Sequence, residues 1–220
     1  MQNPDIRDQF ILKLTYHSNS IEGSTLSEPD TAAILFADAS VPNKTMTEHL
    51  EAKNHQAALL YLFSQIESKQ KIDEKFILKL QGILMNGILP DAGLYRQHGV
   101  RIVGVDLPTA NFLSIPKRMA ELILVMQKNL GDTILTATKV HSEFEKIHPF
   151  SDGNGRVGRL IMNAMLLQNN LAPAIIHQSQ KRLYYTFLYI AQTKNDYSQL
   201  EDFICDATMD GFKILTRKDK

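Results

Sequence analysis

Between positions 148 and 159 the sequence holds several residues whose types and spacing suit chemistry on a phosphate ester. His148 is the side chain of this stretch that can accept a proton near neutral pH. Asp152 offers a carboxylate of the kind that Mg²⁺ binds when the ion also contacts phosphates. Arg156 and Arg159 match phosphate oxygens, and the backbone amides of Gly153–Gly155 are suited to surround an anion. A base, a metal ligand and an anion site this close together indicate phosphate-ester chemistry.

The loop that holds these residues is predicted to join two helices. Pro149 disfavours helical backbone at His148, so the preceding helix should end near Ile147. Asp152–Gly155 is turn-forming, with two glycines that adopt positive φ easily. From Val157 onward apolar residues recur at helical spacing, and the two arginines fall on another face. The loop should therefore present N–H groups at a helix N-terminus, where an anion is favoured and where arginines would otherwise oppose the macrodipole.

Residues 148–159 also resemble the signature of a known family. They match the Fic motif, His-Pro-Phe-x-Asp/Glu-Gly-Asn-Gly-Arg-x-x-Arg, at every specified position and without a gap. The resemblance implies transfer of AMP from ATP to a Ser, Thr or Tyr hydroxyl of a target protein. It implies these roles: His148 as base, Asp152 as Mg²⁺ ligand, Gly153, Asn154 and Gly155 as partners of the α- and β-phosphates, Arg156 and Arg159 as partners of the β- and γ-phosphates, and Phe150 as an anchor in the core.

A helix predicted over about residues 5–22 ends in a second short pattern. Gly23 is placed to end this helix, and Glu22 lies in its last turn, where the macrodipole disfavours a carboxylate by about 0.3–1 kcal/mol. A cation partner elsewhere in the fold is therefore expected, although an exposed helix-end glutamate is the plainer alternative. Ser18 through Gly23 resembles the Fic inhibitory pattern, Ser/Thr-x-x-x-Glu-Gly/Asn, in the class with an N-terminal inhibitory helix, here residues 1–23. The resemblance implies that Glu22 pairs with Arg159 in place of the ATP γ-phosphate, and that Ser18 helps to orient Glu22.

A β-hairpin is predicted within residues 93–114. Val100–Val103 and Phe112–Leu113 flank a connection that contains turn-forming residues. A lone two-stranded ribbon is marginal in water and must pack on the helices or on a partner. In Fic proteins the equivalent hairpin is a flap over the active site, so the resemblance implies that a target protein adds a strand there through main-chain hydrogen bonds. A plain surface hairpin is the alternative.

The rest of the chain is predicted to be helical scaffold. The predicted helices are Ser27 to about Ala37, Thr47 to Ser68, one capped by Asp73, Ile115 to about Leu130, Asp132 to Ile147, one opening at Lys181, and Ser198 to Leu215. Tyr184 and Tyr185 are candidate contacts for adenine or ribose, although paired tyrosines in a helix commonly serve packing. The prediction is one all-α domain over residues 1–220, a mainly helical Fic-like fold with a small β-hairpin flap.

Composition excludes several classes of protein and site. Lysine plus arginine equal aspartate plus glutamate at 24 each among 220 residues, so no net charge draws nucleic acid or an anionic membrane. The single Cys205 excludes an internal disulfide framework, and its apolar neighbours predict a buried thiol. Glu145 and His148 form one Glu-x-x-His pair, but a carboxylate-bridged di-metal site needs a second. Without a membrane-spanning run or a signal peptide, a soluble cytoplasmic protein is expected.

Three functions are compatible with the sequence. The leading one is a self-restrained protein adenylyltransferase that uses ATP and Mg²⁺; self-modification and a homodimer are both compatible with it. A second keeps the site and reverses the chemistry, with Glu22 positioning water to remove AMP from a modified protein, and transfer of a phosphoryl or phosphocholine group belongs beside it. A third is a non-catalytic regulator that senses a nucleotide and binds a partner through the hairpin. An intact His148 argues against the third, because a pure binder needs no base.

Overall fold

The structure is a computed structural model, and it describes residues 3–101, 107–128 and 131–216. These parts of the chain form nine α-helices and two short 3₁₀ helices, Phe112–Ser114 and Gln178–Gln180. The α-helices are α1 (Pro4–Ile21), α2 (Glu28–Ala37), α3 (Met46–Glu67), α4 (Glu74–Leu84), α5 (Ile115–Met126), α6 (Thr133–Ile147), α7 (Asn154–Gln168), α8 (Lys181–Lys194) and α9 (Ser198–Leu215).

Side-chain caps explain why most helices begin where the sequence predicts. The Ser27 hydroxyl accepts from the backbone of Asp30, whose carboxylate accepts in return from Ser27, so α2 opens with a reciprocal cap. Asp73 and Asp132 cap α4 and α6 through their carboxylates. The exception in length is α5, which ends at Met126 and not at the predicted Leu130.

Helix α7 lies at the centre of the fold and carries most of the site. It packs against α6, α3, α4 and α1, and its residues are buried almost throughout. The fully buried apolar residues of α7 belong to the single hydrophobic core that all the α-helices share. The loop before α7 is therefore held between packed helices, which fixes the positions of its backbone groups.

Helix α1 reaches this centre with its C-terminal end. Its apolar face buries Phe10, Ile11 and Ile21, and the helix contacts α2, α3, α7 and α9. Gly23 has φ 108°, and the amides of Gly23 and Ser24 donate to the carbonyls of Ser20 and Asn19 at 3.2 and 3.0 Å. The chain thus turns sharply after α1, as the position of Gly23 predicted.

The predicted β-hairpin is wrong where the structure describes it. Phe112 and Leu113 form a 3₁₀ helix and not a strand, because the Asn111 side chain accepts from the Leu113 amide at 3.0 Å and the Ser114 hydroxyl donates to the Asn111 carbonyl at 2.7 Å. These local bonds favour a turn that leads directly into α5. Part of the other predicted strand, residues 102–103, lies outside the described residues. Within 3–101, 107–128 and 131–216 there is no β-strand.

Two smaller predictions are tested by exposure and helix composition. Cys205 is exposed, contrary to the predicted buried thiol, because Phe203, Ile204 and Ala207 form the inward face of α9 and Cys205 lies off it. Among the residues that the structure describes, none of the helices has the length and apolar character needed to cross a membrane.

Candidate active site

Hydrogen bonds between Phe150 and Asn154 fix the conformation of the loop between α6 and α7. Helix α6 ends at Ile147, and His148 adopts left-handed backbone with φ 52° and ψ 62° before Pro149. Phe150 is completely buried, as predicted. The Asn154 side chain accepts from the Phe150 amide and donates to the Phe150 carbonyl, both at 2.9 Å. The resemblance assigned Asn154 to phosphates, whereas its amide group in this structure is buried and bonded to the loop backbone.

Arg96 is a residue of this site that the sequence did not reveal. It is 2% exposed, and its Nε donates to the His148 carbonyl at 2.8 Å while Nη2 donates to the Ala110 carbonyl at 2.7 Å. Its own amide donates to the Pro149 carbonyl at 3.0 Å. Arg96 therefore binds the carbonyl end of α6, where a cation is favoured, and joins it to the segment around residue 110. Arg96 lies 52 residues before His148, and no local pattern marks it.

The geometry of His148 identifies its free nitrogen. Nδ1 lies 3.2 Å from the Glu145 carbonyl oxygen. Because a carbonyl only accepts, Nδ1 carries the proton in the neutral ring and Nε2 is left as the acceptor. Burial lowers the pKa of His148 below 6.5, and the side chain keeps 19% of its surface exposed. His148 is thus neutral at pH 7, with a basic nitrogen directed away from the helix end.

Asp152 lies at the solvent-exposed side of the loop. Its Oδ1 accepts from the Gly153 amide at 2.6 Å, and Oδ2 is 3.9 Å from Arg156 Nη2. The Asp152 side chain is 60% exposed, so an incoming cation can reach it. Gly153 itself has φ 81° and packs against the Met85 side chain. In the described parts of the chain no group of three or more ligating side chains forms a preformed metal site, so a metal here would need oxygen ligands from a bound phosphate.

Arg159 binds the end of α1. Its Nη2 donates to Glu22 Oε1 at 2.7 Å and to the Ser18 carbonyl at 3.0 Å, and its Nε donates to the Ser18 hydroxyl at 3.0 Å. The expected Glu22–Arg159 pair is therefore present. Ser18 differs from expectation, because its hydroxyl contacts Arg159 and the structure does not place it on Glu22. Burial opposes ionisation of Glu22, but Arg159 outweighs it and the pKa of Glu22 lies below its ordinary value of 4.5.

The Glu22 carboxylate also occupies the N-terminal end of α7. A Cβ atom at Gly155 would collide with Glu22 Oε1, so only glycine allows this approach. The first turn of a helix offers unpaired N–H groups and the positive end of the macrodipole. Glu22 thus lies in the anion position that the sequence predicted for this loop.

Arg156 is held by a partner that the sequence did not reveal. Its Nη1 donates to Glu51 Oε1 of α3 at 2.7 Å, and its side chain is only 3% exposed. The two arginines predicted to face one anion therefore differ in this structure: Arg159 binds Glu22 and Arg156 binds Glu51. Glu51 and Arg156 are 105 residues apart, which explains why periodicity did not suggest the pair.

The two candidate tyrosines lie in different surroundings. Tyr184 is 1% exposed, and its hydroxyl is 2.6 Å from His141 Nε2. Such burial leaves no face of Tyr184 open for stacking on a base, in agreement with the packing alternative. Tyr185 is half-buried, and its ring centroid lies 5.1 Å from that of Tyr184.

Comparison with known proteins finds a family model that matches the loop and relatives that align with most of the chain. A family model described as Fic/DOC family matches residues 71–166, which include the whole of the loop. Protein adenylyltransferase Fic of Drosophila mojavensis is 32% identical over 195 residues, and that of Aedes aegypti is 34% identical over 196. Both alignments cover 88% of this chain and 39% of the relative. The chain thus spans about two fifths of the length of these curated relatives.

Solved structures share the fold across nearly the whole chain. A Fic family protein from Desulfovibrio desulfuricans G20 is 26% identical, with a TM-score of 0.81 over 96% of this chain and 66% of that one. A Fic domain containing signaling protein from Bacteroides thetaiotaomicron VPI-5482 is 23% identical, with a TM-score of 0.86 over 99% of this chain and 94% of that one. The chain is therefore similar to Fic/DOC family proteins, and the family model matches residues 71–166, less than half of the chain. Glu22 and α1 lie outside the residues that the family model matches.

Proposed function

We propose that this protein is a protein adenylyltransferase that transfers AMP from ATP to a hydroxyl side chain of a target protein. The name of the curated relatives, protein adenylyltransferase Fic, supports this activity. The observation that carries the proposal is the position of the Glu22 carboxylate, which is bound to Arg159 at the N-terminus of α7. A carboxylate at this place marks a site that binds anions, next to the neutral imidazole of His148.

His148 would act as the general base. Its Nε2 accepts the proton of the target hydroxyl while the hydroxyl oxygen forms a bond to the α-phosphorus of ATP. The bond between the α-phosphorus and the bridging oxygen breaks, and pyrophosphate leaves. The hydrogen-bond distance from Nδ1 to the Glu145 carbonyl, 3.2 Å, supports this direction of proton transfer because it fixes which nitrogen is free.

The phosphates would bind across the first turn of α7. The amides of Gly153–Gly155 and the helix dipole are suited to the α- and β-phosphates, and Arg159 to the γ-phosphate. Asp152 is the residue that would hold Mg²⁺, since its carboxylate is exposed and Mg²⁺ binds carboxylates together with phosphate oxygens. When bound, Mg²⁺ supplies neutralisation of phosphate charge.

Glu22 would inhibit the enzyme through its contact with Arg159, which is also the contact that indicates an anion site. ATP must compete with Glu22 for Arg159, so a γ-phosphate that is turned aside would misalign the α-phosphate for attack. A misplacement of about 1 Å can lower the rate about a hundredfold. The restraint is consistent with the structure because Glu22 and the γ-phosphate need the same guanidinium.

The test is incubation with ATP labelled at the α-phosphate, with or without a cell lysate that supplies target proteins. Glu22→Gly should label protein about a hundredfold faster than the parent, and label at the γ-phosphate should never be incorporated. His148→Ala in the Glu22→Gly background is the matched control and should abolish labelling. Incorporation of γ-label and not of α-label would make the protein a phosphoryl transferase, and absence of both in Glu22→Gly would reject transfer.

Removal of AMP from a modified protein is the reverse use of the same site. Glu22 has 30% of its side chain exposed beside Arg159, so it could also position a water molecule. Addition of labelled, AMP-modified protein to the parent and to Glu22→Gly separates the two directions: a hydrolase loses release of AMP when Glu22 is removed, and an adenylyltransferase gains transfer.

A further inference from the structure

Helix α7 carries two glycines on one side, and a carboxylate lies against each of them. The Glu22 carboxylate lies against Gly155. A Cβ atom at Gly158 would come within 2.6 Å of Glu145 Oε1, which belongs to α6. Positions three apart on a helix are neighbours on its surface, about 5–6 Å from each other. Glu22 and Glu145 therefore lie one turn apart along the same side of α7.

Arg159 is the cation that acts on both carboxylates. Its Nη2 binds Glu22, whereas its Nη1 is buried and has no hydrogen-bond partner of good geometry among the described residues, although the Tyr184 hydroxyl lies close to the guanidinium. Glu145 Oε1 is likewise buried without a hydrogen-bond partner in that part of the chain. A buried polar atom without a partner is uncommon and calls for an explanation. A second arrangement, in which Glu145 and Arg159 bind each other, would satisfy both atoms.

Glu145 also faces the catalytic side of the site. Its Oε2 lies 4.0 Å from His148 Nδ1, and its side chain is 9% exposed. The buried carboxyl group of Glu145 thus lies close to His148, and the charge of Arg159 acts on it. The sequence singled out Glu145 only as half of a metal pair that lacks its second half.

We propose that Glu145 is a positioning residue that holds a proton while Glu22 is bound to Arg159, and that it ionises and binds Arg159 when Glu22 withdraws. The proton is released to solvent. This inference rests on the proposed function, because it assigns Glu145 to the control of that site. Ionised Glu145 would keep Arg159 in place between the departure of Glu22 and the arrival of ATP.

The direction of the pKa of Glu145 supports this proposal. Burial and then the charge of Glu22 raise it to about 8, against the opposing effect of Arg159. Two carboxylates beside one cation disfavour double ionisation, so the proton is shared unequally between them. By linkage, if ionised Glu22 favours the protonated form of Glu145, then ionised Glu145 weakens the binding of Glu22 to Arg159 by the same factor. Raising the pH through about 8 should therefore release Glu22.

The other ionisable groups around Glu145 titrate outside this range. Burial lowers the pKa of His141 to about 3 and that of His148 below 6.5. The phenol pKa values of Tyr184 and Tyr185 on α8 are raised by burial above 10. The pKa of Arg159 is raised by Glu22 despite its burial, so it stays charged. A change in the binding of Glu22 near pH 8 would thus be assigned to Glu145.

The experiment measures α-label incorporation by the parent, Glu22→Gly and Glu145→Gln from about pH 7 to 9, with saturating ATP and Mg²⁺. The rate of the parent divided by that of Glu22→Gly should rise with pH, by about tenfold for each unit by which Glu22 raises the pKa of Glu145. The division removes the pH dependence of ATP, of His148 and of the target hydroxyl. Glutamine cannot ionise, so the rate of Glu145→Gln divided by that of Glu22→Gly should not change with pH. A flat ratio for the parent, or an equal rise in Glu145→Gln, would overturn the proposal.

A second readout does not depend on activity. A carboxyl group whose pKa is higher in the folded than in the unfolded protein binds more protons when folded, so its contribution to stability falls as the pH rises. The melting temperature of the parent should therefore fall, relative to Glu145→Gln, between about pH 4.5 and 8. In Glu22→Gly the fall in melting temperature should end at a lower pH than in the parent. This comparison of Glu22→Gly with the parent does not require a substitution of Glu145.

The two readouts separate the two proposals. If Glu22→Gly labels no protein but its melting profile is shifted as described, the proposed function is wrong and the pairing of Glu22 with Glu145 is right. If Glu22→Gly labels protein but its melting profile has the same pH dependence as that of the parent, Glu145 is not coupled to Glu22.

Discussion

Arg159 shows how a single residue of this site is controlled by a distant part of the chain. Two of its hydrogen bonds go to Ser18 of α1, and a third goes to Glu22, the residue that follows the helix. The Ser18 carbonyl belongs to the backbone and stays whatever the side chain is. Only Glu22 supplies charge, so it is the residue whose removal changes the electrostatics of the guanidinium most.

His148 leads to a prediction about protonation. Because burial lowers its pKa below 6.5, the neutral form that can accept a proton predominates at pH 7 and declines as the pH falls through the lowered value. NMR titration of the His148 ring, assigned from the signal that His148→Ala lacks, should give a pKa below 6.5. A value at or above 6.5 would contradict the buried geometry.

Calorimetry with Mg²⁺–ATP in the Glu22→Gly background should show that His148→Ala retains nucleotide binding while transfer is lost, because no phosphate ligand is removed.

The helix elements determine how firmly the loop is fixed. The carbonyl end of α6 is bonded by Arg96, the loop backbone by Asn154, and the N-terminus of α7 by the packing of that helix. Functional groups of the loop are therefore positioned by backbone contacts from several helices and not by the loop alone. This arrangement suits a site that must orient a phosphate for in-line attack.

Arg96→Ala is predicted to destabilise the fold. The change leaves the carbonyls of His148 and Ala110 without their charged donor, at a cost of about 1–3 kcal/mol for each group that stays buried and unsatisfied. Urea unfolding should show this loss for Arg96→Ala, with Arg7→Ala, whose side chain is 43% exposed, as a control that changes stability less. Equal stabilities of the two variants would mean that water replaces the guanidinium without cost.

The sequence predicts the elements well where the determinants are local. Caps such as Ser27 and Asp73 and the stop at Pro149 depend on neighbours within a few positions, whereas the burial of Phe150 was expected from the resemblance. The predicted strand at residues 112–113 failed because the bonds of the Asn111 side chain, also local, favour a 3₁₀ turn over weak β-propensity.

The contacts within the site could be predicted from the sequence less well than the helices. The Glu22–Arg159 pair was expected only from a resemblance, since 137 residues separate its members. Arg96 and Glu51 were missed because their partners, His148 and Arg156, are 52 and 105 residues away, and no periodic pattern encodes such a partner. The exact use of Asn154, as a loop clasp in this structure, depends on tertiary geometry that a motif does not specify.

At the scale of the whole molecule, the docking of α1 and the contact at Glu22 are separable. Helix α1 is held on the body by buried apolar residues, Phe10, Ile11, Leu14 and Ile21, whereas Glu22 lies beyond its last turn and is 30% exposed. The apolar face fixes the position of α1, and the carboxylate then lies on Arg159. The contact between Glu22 and Arg159, which we propose to be inhibitory, can therefore be removed without undocking the helix.

This separation leads to the last prediction, which compares Glu22→Gly with Phe10→Ala. Glu22→Gly should raise α-label incorporation by about a hundredfold and lose stability only through the unpaired charge of buried Arg159, because the apolar face of α1 is intact. Phe10→Ala should lose about 3–5 kcal/mol of stability through the cavity it creates. Replacing Arg159 as well should restore stability to Glu22→Gly but not to Phe10→Ala, which distinguishes loss of the charge from loss of docking. The double variant Glu22→Gly with Arg159→Ala should lose the gain in activity, since the released guanidinium is the group that would bind the γ-phosphate. If the double variant is as active as Glu22→Gly, Arg159 is not the target of the inhibition, and Glu22 restrains the site through the helix N-terminus at Gly155 instead.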